Sequence, residues 1–253
     1  MKNRNNWSGF FANLLGIILG ILLTLGANSL WQKHEEKKKT KEMLVLVRNE
    51  LEINRKWFKD QKTFIQKDCR VYKKIIESKN NLDDIPIDTL KTYLYQLIII
   101  QFEPLFSSAW QIFQNSDIIQ KIDNKELIIR LTECYFWIDK IQKHIEKEYW
   151  NKKMEVLLSD FIAEHPAQYL NAVMNNNKAV AFYTAMTKEF SPFWDLFPYI
   201  DAVIDYNLLL LDKYGDFQYN MTEKDKEYET FINTKVNAEL QKNDTLNKSE
   251  IFK

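Results

Sequence analysis

Three kinds of hydrophobic pattern follow one another along the chain. The first is continuous: no charged residue lies between Trp7 and Trp31. Its 24 steps rise about 36 Å at ~1.5 Å per residue, more than the ~30 Å of a bilayer's hydrocarbon layer. The second is periodic. Leu44, Leu51, Phe58, Ile65 and Tyr72 recur every seven residues, flanked by Trp57, Phe64 and Val71, which predicts a long amphipathic helix. The companion positions Val47, Asn54, Gln61, Asp68 and Ile75 are mostly polar, so a two-stranded coiled coil is poorly specified. The stripe is expected to pack on the rest of the chain. The third pattern is a series of shorter helical blocks separated by turn residues.

Those blocks set the expected body. SKNNLDDIPID (78–88) reads as a loop ending in Asp88, an N-cap for the helix carrying TLKTYLYQLIII. Pro104 breaks that helix, and Ser107 or Ser108 caps a short one through Trp110 and Phe113. Asn124 opens the longest body helix, which runs to Pro166 with Leu127, Leu131, Cys134, Ile138, Ile141 and Ile145 on its apolar face. Further helices are expected around 175–190 and 198–214, with Gly215 as a stop, and another around 222–241. Glycine strengthens the all-α reading: four of five glycines lie within 9–31, and only Gly215 follows. Sheets need glycine at hairpins and bulges. The expected organisation is a short flank (1–7), a transmembrane helix (8–31), a basic stalk helix (32–79), a helical-bundle body (88–215) and a polar, partly helical tail (216–253).

A secretory signal has an apolar run of only ~7–15 residues before a small-x-small site, and a soluble core helix is charged on one face. Neither description fits 8–31. Trp7 and Trp31 are placed as interfacial anchors. Gly9, Asn13, Gly16, Gly20, Thr24 and Ala27 fall on one face, and Gly16 with Gly20 forms a GxxxG pair that lets two helix backbones approach. This face is the candidate for pairing with a second copy or with another membrane protein's helix.

Charge then orients the chain. Net charge is zero, but residues 33–74 carry a net of +7 and residues 75–253 a net of −9. Lys33, Lys37, Lys38, Lys39 and Lys41 follow the apolar run, whereas only Lys2 and Arg4 precede it. This asymmetry favours a cytoplasmic body, with those five lysines against the inner leaflet. Cys69 and Cys134 lie far apart and form no CxxC motif, so a disulfide framework is not expected. A solvated helix of mixed charge accounts for the basic stalk more simply than a nucleic-acid surface, and no nucleic-acid partner is expected.

LGILLTLGANSLWQKHEEKKK (19–39), with Gly20, Ile21, Leu22, Asn28 and Trp31, resembles the anchor-to-stalk junction of a large bacterial family of single-pass membrane proteins of unknown function. FEPLFSSAWQIFQNSDIIQKIDNKELIIRLTECY (102–135) is similar to that family's middle part. The segment before the anchor is shorter here, and Gly26-Ala27 stands where the family has larger or polar residues. The likeness implies an architecture, a single-pass membrane protein, and no activity; the expected location is the bacterial inner membrane.

No HExxH, Walker loop, GxGxxG or GxSxG motif occurs. His144 and Glu148, one turn apart, read as an ion-pairing face rather than a metal site; His165 suits a helix end. The aromatics of SPFWDLFPYIDAVIDY (191–206) read as core rather than pocket. The expectation is a non-catalytic membrane-anchored scaffold, adaptor or sensor subunit that takes no cofactor and no identifiable small molecule. A membrane-acting component of a defence or toxin system is the alternative, and an enzyme with a site hidden from sequence is a third.

Overall fold

The unbroken stretch without glycine or proline after Ala27 has a direct structural result. In the computed structural model, α1 runs from Asn5 to Glu77 as one helix of 73 residues. The structure describes residues 5–78, 81–158, 166–187, 192–213, 227–228 and 230–238, with their side chains described from Asn13 onward except at Leu158 and Pro192. Seven further α-helices follow among these residues: α2 (Ile87–Ile98), α3 (Ser108–Gln114), α4 (Lys125–Ile145), α5 (Lys152–Leu158), α6 (Pro166–Asn175), α7 (Asn177–Met186) and α8 (Pro192–Asp212). The protein is all-α, a long N-terminal helix packed on a helical body.

The heptad stripe is the contact. Leu44, Leu51, Phe58, Ile65 and Tyr72 are all buried, and so are Val47, Asn54, Gln61, Asp68 and Ile75. From Thr40 onward α1 is therefore one wall of the bundle. α2 and α3, joined by the irregular segment 99–107, return along it: Gln96 meets Asp68 and Phe106 meets Asn54. α4 then runs parallel to α1, with Tyr135 at Glu50 and Tyr149 at Asp68. α6 and α7 cross the far end, where the Tyr183 ring stacks on Tyr72 at 4.2 Å. α8 comes back antiparallel, and three ion pairs record its register: Asp201 with Lys59, Asp205 with Arg55 and Asp212 with Arg48. Such partly exposed pairs add little stability, but they tie the strip of bases on α1 to acids on α8.

Several boundaries differ from the sequence reading. Pro86, not Asp88, holds the N-cap position of α2; Asp88 sits in the first turn, where its charge suits the helix dipole. Ser107 precedes α3 without capping it through its side chain. Asn124 does cap α4, accepting from the Leu127 N–H at 3.1 Å. The expected single helix from 124 is interrupted by a π-helical turn, Glu146–Asn151. Its wider turn, with more residues per revolution, accompanies burial of both sequence neighbours Tyr149 and Trp150, at 0% and 1% exposure.

Residues 166–187 form two short helices meeting at Asn176, which caps α7 through the N–H groups of Lys178 and Ala179. α8 starts at Pro192, a residue pre-organised for a first turn, and Pro198 lies inside it rather than opening it. Residues 230–238 are helical. Gly215, His165 and the rest of the expected 222–241 helix lie outside the described residues, 227 and 228 apart.

Candidate functional site

Two parts of α1 carry features beyond ordinary packing. One is its exposed first third. From Asn13 to Trp31 every residue is exposed, and the most apolar stretch of the helix has none of its residues buried in the protein. Leu23, Leu30 and Trp31 stand 72%, 71% and 69% exposed. Asn13, Gly16, Gly20, Thr24 and Ala27 lie along this uncovered rod, and a side chain added at Gly16 or Gly20 would meet no atom within 4 Å. The Thr24 hydroxyl donates back to the Gly20 carbonyl at 2.8 Å, so its polarity is spent inside the helix. Trp7 and Gly9 belong to the helical backbone, while their side-chain surroundings fall outside the described residues.

Past Trp31, Lys33, Lys37, Lys38, Lys39 and Lys41 are all exposed. One helical turn brings the chain to Glu36, which accepts from the ammonium of Lys121 at 2.8 Å. The residues proposed from sequence thus share one continuous surface. They do not converge on a cavity.

The other part is a buried polar ladder on the opposite stretch of α1. Glu50 accepts from the N–H groups of Ala109 (2.8 Å) and Trp110 (3.2 Å), and from the Tyr135 hydroxyl at 2.7 Å. This remote carboxylate caps α3 in place of Ser107. Asn54 pairs with both backbone groups of Phe106, donating at 2.7 Å and accepting at 3.0 Å. Gln61 donates to the Gln101 carbonyl and accepts from the Trp150 indole, each at 2.9 Å. Asp68 accepts from Gln96 at 2.5 Å, and from Tyr149 and Lys153. The Lys153 ammonium also donates to the Ile99 carbonyl at 2.9 Å. The polar heptad positions are therefore the fasteners of segment 99–107, which has no helical ladder of its own to satisfy its backbone.

Asp68 and Lys153 are both fully buried. Burial pushes the Asp68 carboxyl above its ordinary value, and the ionic and hydrogen-bonded contacts with Lys153 oppose that. Burial lowers the Lys153 ammonium, again against the pull of Asp68. Phe64 and Trp150 flank the ammonium, each with its ring centre 5.2 Å away, which offsets part of its desolvation. Next to this pair, burial raises the Cys69 thiol to about 12; Cys134 is raised by burial as well. Both thiols are free and buried. Sequence displays Asn54, Gln61 and Asp68 as polar interruptions of the seam, but not their partners Gln96, Tyr149 and Lys153, nor the parallel role of Glu50.

The network is closed to solvent. Surface clefts among the described residues include one of about 210 Å³ beside Lys59, Pro198 and Asp201, and one of about 340 Å³ over the Glu50 end of the ladder, lined by Phe106, Trp110, Tyr135 and Phe136. No group of three or more His, Cys, Asp or Glu suited to a metal occurs among the described residues. His144 is exposed, and Glu148 pairs with Lys152. Of the 191–206 aromatics, Phe193, Phe197 and Tyr206 are buried and Trp194 and Tyr199 partly so, packed against the core.

Comparison with known proteins finds no matching family model, no matching curated protein and no matching solved structure. The family likeness therefore rests on the residues of 19–39 and 102–135 alone.

Proposed function

We propose that this is a single-pass membrane protein whose helical body acts through protein contacts, as a scaffold, adaptor or sensor subunit. The observation that carries the reading is the bare apolar rod continuous with a packed body. Ten Leu and Ile side chains between Leu14 and Leu30 are exposed. At ~1.5–3 kcal/mol for a side chain of this size taken from full exposure, and with these side chains 40–72% exposed, covering them is worth roughly 9–17 kcal/mol, as much as the ~5–15 kcal/mol that stabilises a typical domain. A bilayer supplies this burial without changing the fold.

The lysines after Trp31 support a cytoplasmic body at a bacterial inner membrane. Because α1 is unbroken through Thr40, a displacement of the anchor moves the bundle wall that holds segment 99–107. Pairing along Gly16 and Gly20, with a second copy or another membrane protein, would give such displacement a cause. The test is crosslinking in native membranes followed by identification of the captured chains, comparing wild type with Gly16→Ile/Gly20→Ile. The reading expects a defined partner or homodimer that weakens several-fold in the double variant. No crosslinked species in either protein would count against contact as the mode of action.

A further inference from the structure

The membrane-facing end of the body is not spaced away from the anchor. Trp31 and Glu36 are five residues apart, about 7.5 Å at ~1.5 Å per residue. Glu36 holds Lys121 at 2.8 Å, and Lys121 also pairs with Asp117 at 3.3 Å. The turn between α3 and α4, residues 115–124, is thereby tied to the first helical turns beyond the apolar rod. Thr40, nine residues from Trp31, is already buried at 6% exposure.

With Trp31 in the interfacial layer, no flexible linker separates that turn from the lipid headgroups, because α1 contains neither glycine nor proline there. Lys33 lies three residues before Glu36 on the same helix face, on the side from which the turn departs. Lys37, Lys38, Lys39 and Lys41 are exposed on the same turns of the helix. Lys121 bridges two carboxylates, Glu36 and Asp117, and so offsets the acidic charge that would repel an anionic surface. Lys125 donates to the Ile122 carbonyl and rigidifies the turn's exit. Glu35, Glu42, Asp123 and Glu126 are further acids in the adjoining stretches of α1 and the turn's exit.

We infer that turn 115–124 seats the body on the bilayer, with Lys33, Lys37, Lys38 and Lys41 contacting anionic headgroups beside it. Seated in this way, the bundle stands upright on its anchor instead of swinging from it. The inference rests on the membrane reading above, and its test separates the two. Cys69 and Cys134 are buried, so a single surface cysteine can be labelled selectively. The full chain is reconstituted in vesicles of phosphatidylcholine with or without phosphatidylglycerol, both doped with a headgroup-quencher lipid. A fluorophore is placed at Gln120→Cys in the turn, or at Asn175→Cys at the far end.

The expected result is strong quenching at 120, none at 175, and roughly two-fold weaker quenching at 120 without phosphatidylglycerol. The four-fold variant Lys33→Gln/Lys37→Gln/Lys38→Gln/Lys41→Gln should reduce the anionic-lipid effect. Equal, weak quenching at both sites in a chain that resists carbonate extraction overturns the seat while leaving the anchor in place. Quenching at 120 that ignores phosphatidylglycerol overturns the headgroup contact. Extraction of the chain by carbonate overturns the anchor itself.

Discussion

Asp68 and Lys153, 85 positions apart in the chain, form a fully buried ion pair that joins α1 to α5 beside the end of α2 and the π-turn after α4. Its partners are all internal: Gln96, Tyr149 and the Ile99 carbonyl. Desolvation offsets most of the attraction within such a pair, so its value lies in fixing geometry, and breaking it is costly.

Asp68→Asn should therefore destabilise the protein by about 3–5 kcal/mol, by leaving an uncompensated ammonium in the core. Asp68→Leu combined with Lys153→Met should recover most of that loss. Urea unfolding in detergent, followed by tryptophan fluorescence, checks both. A single variant within ~1 kcal/mol of wild type would contradict the assigned role.

Buried tyrosines give a paired test. The Tyr149 hydroxyl donates to Asp68, whereas those of Tyr72 and Tyr183 are buried with no hydrogen-bond partner among the described residues. Tyr149→Phe should cost ~1.5–3 kcal/mol as a charge-assisted bond is lost, while Tyr183→Phe should be neutral or slightly stabilising. Equal losses in the two variants, measured by the same unfolding experiment, would contradict the hydrogen-bond assignment.

Much of this arrangement is legible in the amino-acid sequence. The period-seven stripe of α1, the Asn124 cap and the apolar face from Leu127 to Ile145 each rest on a local signal, and all are present. What local signals do not show are the places where tertiary contacts overrule them. A Ser107 cap looks sound until Glu50, more than fifty residues away, takes the same N–H groups. Pro198 looks like a helix start, yet Pro192 already provides one and core packing carries the helix through. The π-turn leaves no mark in the periodicity. Asn54, Gln61 and Asp68 look like flaws in a coiled-coil seam because their partners lie 28 to 89 residues away.

Asn54 makes the clearest case for that ladder. Asn54→Leu should orphan both backbone groups of Phe106 and cost about 2–4 kcal/mol. It should also raise amide exchange across residues 99–107 while leaving α7 unchanged. Exchange mass spectrometry that shows no local change in 99–107 would separate Asn54 from the segment it is said to hold.

Acid should loosen the C-terminal contact. Burial alone would raise the Asp205 carboxyl, but its hydrogen bonds with Lys235 and Arg55 hold it below its ordinary value of 3.8. A carboxylate lowered by folding contributes stability above its unfolded value, and loses it as pH falls through the folded one. Asp201 works the other way: burial and the Asp205 charge raise it against Lys59, Arg55 and Lys235, so its contribution declines as pH rises above 3.8. Lys235 donates to Asp205 at 2.8 Å from the 230–238 helix. Amide protection of 230–238 should persist from pH 7 to about 4 and fall below that. Protection unchanged down to pH 2 would show that Tyr228, Phe231 and Ile232 hold this helix without the ion pair.

The proposed arrangement places residues 8–31 in a membrane and the body on its cytoplasmic side. Its most direct test is labelling of Asn175→Cys by a membrane-impermeant maleimide, in intact cells and after lysis, with recovery of the carbonate-resistant membrane fraction. Label is expected only after lysis, and in that fraction. Label acquired by intact cells, or found in the soluble fraction, would contradict it.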